Sequence, residues 1–181
     1  NNHVLPDAQT AAKAAIQFGY QFPKGMKTFQ KTISEIKPER VASLDPGTAG
    51  QPMFYTNVDE DWTLVKIKEN DIDGYGFLEL SSAGVREQDF VNIIQHPLGG
   101  PKQIGIYNNL VMYADDDIVQ YMTDTDSGSS GSPVMNSDWE VVALHHSGGW
   151  IVDPKTQQSV RRNQGTNIKK VKDFIETNKL K

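Results

Sequence analysis

Asp126-Ser127-Gly128-Ser129-Ser130-Gly131-Ser132-Pro133-Val134 is the most informative stretch of the chain. Small residues crowded around one serine let a backbone fold tightly and aim successive N–H groups into one small space. Acyl transfer needs such a space as an oxyanion hole, where each donor is worth about 3–4 kcal/mol. In that geometry the donors are the Gly128 and Ser130 N–H groups, and the Ser130 hydroxyl is the nucleophile. Taken alone, the same composition also describes an ordinary Gly/Ser surface loop. Two other motif readings fail. The α/β-hydrolase elbow requires G-x-S-x-G, but the fifth position here is Ser132, followed by Pro133. A G-x-x-x-x-G-K-[ST] phosphate loop is absent.

The stretch sits between two expected strands, Ile118 to Met122 and Val141 to Leu144, the second running into His145-His146-Ser147-Gly148-Gly149. Further strands are expected at Trp62 to Ile67, Phe90 to Ile94 and Leu110 to Met112. Toward the N-terminus, alternation predicts strands at Ala15 to Phe22, Lys27 to Ile36 and Glu39 to Leu44, with a loop from Pro46 to Pro52. Many short strands separated by Gly and Pro clusters give an all-β barrel or sandwich. Two helices flank it. Asp7 to Ala15 reads as a short helix, and Asn167 to Lys179 places Ile168, Val171, Phe174 and Ile175 at helical spacing. Its Lys169, Lys170 and Lys172 read as a solvated face. Asp115-Asp116-Asp117 reads as a solvated turn, since consecutive carboxylates lack calcium-loop spacing. Trp139 is expected to cap a hairpin turn, and Trp150 either borders a pocket or packs.

Composition narrows the function classes. The 181 residues carry 18 Lys+Arg against 23 Asp+Glu, a net charge of −5. That balance argues against nucleic-acid binding through bulk positive charge. No apolar run approaches the ~18 residues of a membrane span. The absence of cysteine excludes disulfides, thiolate metal sites and cysteine nucleophiles, without fixing the compartment. With four histidines, a metal site from His96, His145 and His146 matches no strong ligand spacing, and no metal or other cofactor is expected. His96, before Pro97, reads as a structural loop residue. His145 and His146 are adjacent, so in a regular strand they face opposite ways and at most one lines a given pocket.

Gly128-Ser129-Ser130-Gly131-Ser132-Pro133-Val134 followed by Val141-Val142-Ala143-Leu144-His145-His146 resembles the trypsin-like, chymotrypsin-fold serine peptidases. Within them it is most similar to the bacterial V8-like, glutamyl-endopeptidase branch. Asn1-Asn2-His3-Val4-Leu5 resembles the family's histidine motif, and Asp61-Trp62-Thr63-Leu64-Val65 its aspartate motif, which selects Asp61 over Asp59. Phe90 to Gly100, with Ile93-Ile94-Gln95-His96-Pro97, resembles a segment of the same bacterial group. The resemblance implies a triad of His3 as general base, Asp61 as its orienting carboxylate and Ser130 as nucleophile.

The same resemblance implies two antiparallel six-stranded-type β-barrels in a single domain spanning 1–181. The first barrel takes about 1–80, the second about 81–165, and a C-terminal helix about 166–179. The strands that precede the histidine in the family are missing here. The first barrel is therefore expected to be N-terminally truncated: left incomplete, cut back by proteolysis, or completed by an upstream segment, a flanking domain or a partner. The implied partner is a polypeptide substrate, not nucleic acid or membrane, paired along His146, Ser147 and Gly148 by β-augmentation. His145 and Thr125 map to the specificity pocket, where the glutamyl branch binds an acidic side chain. Asp124 maps to the position where trypsin carries the Asp that selects Lys or Arg. Both specificities stay open. The rivals are an inactive peptide-binding module of the same fold, an inactive fragment, and an HtrA-like protease, disfavoured by Ser132.

Overall fold

The computed structural model describes residues 1–25, 36–44, 54–68 and 73–180. Most of the expected strand at Lys27 to Ile36 and all of the Pro46 to Pro52 loop lie outside them. Asp7 caps the first helix, α1 (Ala8–Lys13), by accepting the Thr10 N–H at 2.7 Å. Strand β1 (Ala15–Phe18) pairs antiparallel with β2 (Arg40–Ser43). It stops short of Phe22 because Gly19 takes φ +66° and turns the chain. A hairpin joins β3 (Phe54–Asn57) to β4 (Trp62–Val65). A Leu44–Ile67 bridge connects the two strand pairs.

The remaining strands form one antiparallel sheet of seven, in the order β6-β5-β9-β10-β11-β8-β7. They are β5 (Asn92–Gln95), β6 (Gln103–Gly105), β7 (Val111–Ala114), β8 (Ile118–Tyr121), β9 (Pro133–Met135), β10 (Val141–Val152) and β11 (Ser159–Asn167). Its inner face buries Val91, Ile93, Val111, Val119, Tyr121, Val134, Val142 and Ala143, the β-branched surface that favours pleated backbone. The all-β class holds, but the expectation of two barrels is corrected. Among the described residues the first half is two two-stranded sheets, and the second is an open sheet. The segment leading into β5 is joined to the one leading into the edge strand β7 by a Phe90–Leu110 bridge and by the Val91 N–H on the Asn109 carbonyl at 2.8 Å.

Two corrections concern β10. It runs to Val152, well beyond the expected Leu144, because β11 supplies a ladder as far as Val152↔Ser159. It also shifts register between His145 and Ser147. That bulge breaks the simple alternation expected of His145 and His146.

The C-terminal helix α2 (Ile168–Thr177) starts at Asn167, whose side chain accepts the Lys169 N–H. Its apolar face packs on both halves, Ile168 and Val171 clustering with Trp62 of the first and with Met135 and Val141 of the second. The Phe174 ring lies 5.0 Å from Trp62 and 5.3 Å from Tyr55. Its lysines are not simply solvated, since Lys170 pairs with Asp117 and Glu60, and Lys172 reaches the Ser82 hydroxyl. Asp115 organises the acidic turn by accepting the Asp117 and Ile118 N–H groups at 2.8 Å. Trp139, at φ +64°, sits in the β9–β10 turn. None of the described helices is long and apolar enough to cross a membrane.

Candidate active site

Asp61 ends the tight turn between β3 and β4 at φ +50°, a left-handed conformation that Asp tolerates better than most residues. The turn is built locally: Asn57 Oδ1 accepts the Glu60 N–H at 3.0 Å. Residues 1–5 lie across this hairpin and are held at several points. Asn1 Nδ2 donates to the Asp61 carbonyl at 2.9 Å, Asn2 Nδ2 to Thr56 Oγ1 at 2.9 Å, and Thr63 Oγ1 to the Leu5 carbonyl at 2.9 Å. His3 is thereby fixed against Asp61, whose two carboxylate oxygens take different donors. Oδ1 accepts the His3 backbone N–H at 2.9 Å, and Oδ2 lies 2.6 Å from the ring Nδ1. On the far side of the ring, His3 Nε2 is 2.9 Å from Ser130 Oγ. Because a carboxylate only accepts, Nδ1 carries a proton, which leaves Nε2 of the neutral ring as an acceptor for the serine O–H. Asp61, His3 and Ser130 thus form one hydrogen-bonded line; Asp59 takes no part in it.

The loop around Ser130 has a simple backbone accounting. The Ser127 N–H donates to Asp126 Oδ1, Ser129 N–H to the Asp126 carbonyl, Gly131 N–H to the His145 carbonyl, and Ser132 N–H to the Ser129 carbonyl. The amides of Gly128 and Ser130 have no partner among the described residues. Gly128 needs to be glycine, because it sits at φ +90° and a Cβ there would press on backbone atoms of His96, Leu98 and Gly99.

A cleft of about 630 Å³ opens beside Ser130, lined in part by Thr125, Gly128, His145, His146, Gly148 and Asn163. His145 and His146 both line it, contrary to the expectation from strand alternation, and the β10 bulge lies between them and Ser147. His145 is buried, and its Nδ1 is 2.6 Å from the Tyr121 hydroxyl. Burial pushes the His145 pKa down to about 4, with His146 and His3 adding to the shift, and burial drives the Tyr121 phenol up. The phenol has no other acceptor among the described residues, so its O–H donates to Nδ1 and the neutral imidazole carries its proton on Nε2. His146 is also lowered, first by burial and then by His3, with Asp61 acting against both.

The cleft floor is polar. Thr125 Oγ1 donates to Asn163 Oδ1 at 2.7 Å, and Asn163 Nδ2 donates to the Thr123 carbonyl. Asn163 stands opposite Gly148 in the β10–β11 ladder, and a Cβ on Gly148 would run into its amide oxygen. Asp124 lines the cleft but is exposed, and its carbonyl is held by Gln95 Nε2 at 2.9 Å. His96 stands apart, bonded to the Gly100 carbonyl and stacked on Tyr20. No three His, Cys, Asp or Glu side chains gather as metal ligands among the described residues.

The family model for the trypsin-like peptidase domain matches residues 1–144. This chain belongs to the trypsin-like peptidase family. An uncharacterized protein, y4fB, of Sinorhizobium fredii (strain NBRC 101917 / NGR234) is 31% identical over 187 residues, covering 89% of this chain and 27% of that protein. Secreted RxLR effector protein 73 of Plasmopara viticola is 40% identical over 108 residues, covering 54% of this chain and 27% of the effector. The chain therefore spans about a quarter of the curated relatives it matches. Among solved structures, a Glu endopeptidase in complex with MPD is similar with a TM-score of 0.56 and 18% identity, covering 78% of this chain and 65% of that one. The HtrA-type protease AlgW with a decapeptide gives 0.51 and 16%, covering 78% and 41%. At such identities these likenesses concern the fold alone.

Sequence reasoning missed three parts of this trypsin-like peptidase domain's candidate site. Tyr121 and Asn163 belong to strands whose partners lie 24 and 38 residues away, at His145 and Thr125. No local pattern announces such contacts. The third is the loop from His96 to Gly100, which packs on Gly128. The Gly and Pro cluster there signals a turn, but not what it touches.

Proposed function

We propose that this domain is a serine endopeptidase acting through His3, Asp61 and Ser130. The observation that carries the reading is the line from Asp61 through His3 to Ser130 beside two amides unpartnered among the described residues. Ser130 Oγ attacks the substrate carbonyl as His3 Nε2 takes its proton. Asp61 holds the ring tautomer and stabilises the imidazolium. The Gly128 and Ser130 N–H groups receive the oxyanion of the tetrahedral intermediate. His3 then protonates the leaving amine, and water resolves the acyl-enzyme by the same steps in reverse. The substrate backbone lies extended against His146, Ser147 and Gly148.

The pocket favours a P1 side chain that accepts hydrogen bonds, glutamate foremost, over Lys or Arg. His145 offers a donor in its Nε2–H, Asn163 closes the floor, and exposed Asp124 is no buried counter-charge. The test is labelling with a fluorophosphonate probe. The wild-type chain is expected to label, and Ser130→Ala to lose all labelling. A folded wild type that stays unlabelled would overturn the reading in favour of an inactive peptide-binding module. Asp61→Asn is expected to lower kcat about 10⁴-fold while leaving the fold intact. Profiling a peptide library by P1 residue checks the specificity, and a preference for Lys or Arg would refute it.

A further inference from the structure

The direction of the Gly128 N–H is fixed by the peptide plane that joins Ser127 to Gly128, and that plane is held from outside the nucleophile loop. The Leu98 N–H donates to the Ser127 carbonyl at 2.6 Å. In a trans peptide, carbonyl and N–H point to opposite sides. A carbonyl drawn toward Leu98 therefore turns the Gly128 N–H away from residues 96–99 and toward the cleft, which Ser127, Gly128 and Ser130 line and residues 96–99 do not. With this peptide turned over, the cleft would present an acceptor where the oxyanion needs a donor. The two segments are in close contact. A Cβ on Gly128 would lie 3.2 Å from the Gly99 nitrogen, 3.3 Å from the Leu98 nitrogen and 3.4 Å from the His96 oxygen.

The bracing turn has its own supports. His96 Nδ1–H donates to the Gly100 carbonyl at 2.9 Å, and the Gly99 N–H returns to the His96 carbonyl at 3.0 Å. The His96 ring stacks on Tyr20, 5.8 Å between centroids and 15° between planes. The Lys102 N–H donates to the Tyr20 carbonyl at 2.9 Å. Leu98 itself sits at φ +56°, a conformation a non-glycine residue keeps only when its surroundings hold it.

We infer that His96 is a positioning residue that, through the Leu98 amide, holds the Gly128 N–H in its oxyanion-binding direction. The inference deepens the peptidase reading and rests on it. Three measurements on the full chain test it, using His96→Ala and His96→Asn: hydrogen exchange at the Leu98 amide, kcat and KM on a peptide substrate, and Tm. In His96→Ala, Leu98 protection is expected to fall. Its kcat should drop about 10- to 100-fold, as for a weakened oxyanion donor, with KM within about threefold. In His96→Asn the side-chain amide can still donate to the Gly100 carbonyl, so much of both losses should be restored. Retained Leu98 protection or an unchanged kcat in folded His96→Ala would overturn the inference; a merely structural histidine would move Tm alone. Should the wild type fail to react at Ser130, the peptidase reading falls by itself. The exchange arm then still decides the brace: lost Leu98 protection in His96→Ala keeps it, and retained protection refutes it.

Discussion

His145 is a histidine held almost wholly out of water. Its native pKa of about 4 lies below the ordinary value of 6.5, so between these pH values the unfolded chain binds the extra proton and the native one does not. The contribution is therefore fully present above pH 6.5 and is lost as pH falls to about 4, of order 3 kcal/mol across that window. Urea titrations at stepped pH should show a steep acid limb in the wild type and a flatter one in His145→Gln; equal slopes would contradict this. At the same scale, the legibility of the site follows the locality of its chemistry. Ser130 and its two amides are readable because one run of small residues supplies all three. His3 and Asp61 become readable through weaker motif resemblances, around Asn1-Asn2-His3-Val4-Leu5 and Asp61-Trp62, that gain force from their order along the chain. Tyr121 and His96 stay hidden because their roles depend on what other segments bring against them.

Among the elements, the long hairpin of β10 and β11 departs most from expectation. Val141 to Leu144 announces a strand by its apolar run, whereas Arg161-Arg162-Asn163-Gln164 has no alternation to read. That polar strand is held by ladders on both sides, to β8 and β10, and by ion pairing. Arg162 meets Asp153 at 2.8 Å and Gln120 at 3.1 Å, and Asp153 Oδ1 also accepts the Lys155 and Thr156 N–H groups at the hairpin tip. Those bonds, the Thr156 N–H foremost, hold the Asp153 carboxyl below its usual range. A depressed carboxylate gives stability that is present above the ordinary pKa and lost as pH falls through the native one. Asp153→Asn is thus expected to lower Tm at neutral pH and to converge on the wild type in strong acid. Thermal melts between pH 7 and pH 2 check this, and a constant difference throughout would contradict it.

On the scale of the whole molecule, the proposed machinery is divided between two halves. His3 and Asp61 belong to the β3–β4 side, Ser130 to the seven-stranded sheet. Helix α2 and β11 tie the two: Phe174 packs on Trp62 and Tyr55, and Thr166 Oγ1 donates to the carbonyl of Glu60, next to Asp61. Phe174→Ala removes a half-buried ring from this seam and is expected to cost about 2–3 kcal/mol in urea unfolding. Fluorophosphonate labelling should fail at correspondingly lower urea. Labelling that outlasts the loss of the apolar seam would show that the halves hold together without it. The open sheets were not legible from the chain, because closure depends on where the ends of β5 and β7 meet, and strand count alone does not determine that.

The division also bears on how such a chain is made. Whenever the two halves are apart, Ser130 has no base beside it and is an ordinary hydroxyl. Under the proposed function, cutting power needs both halves docked, so a copy whose halves are apart is expected to leave the proteins around it, its own siblings included, uncut.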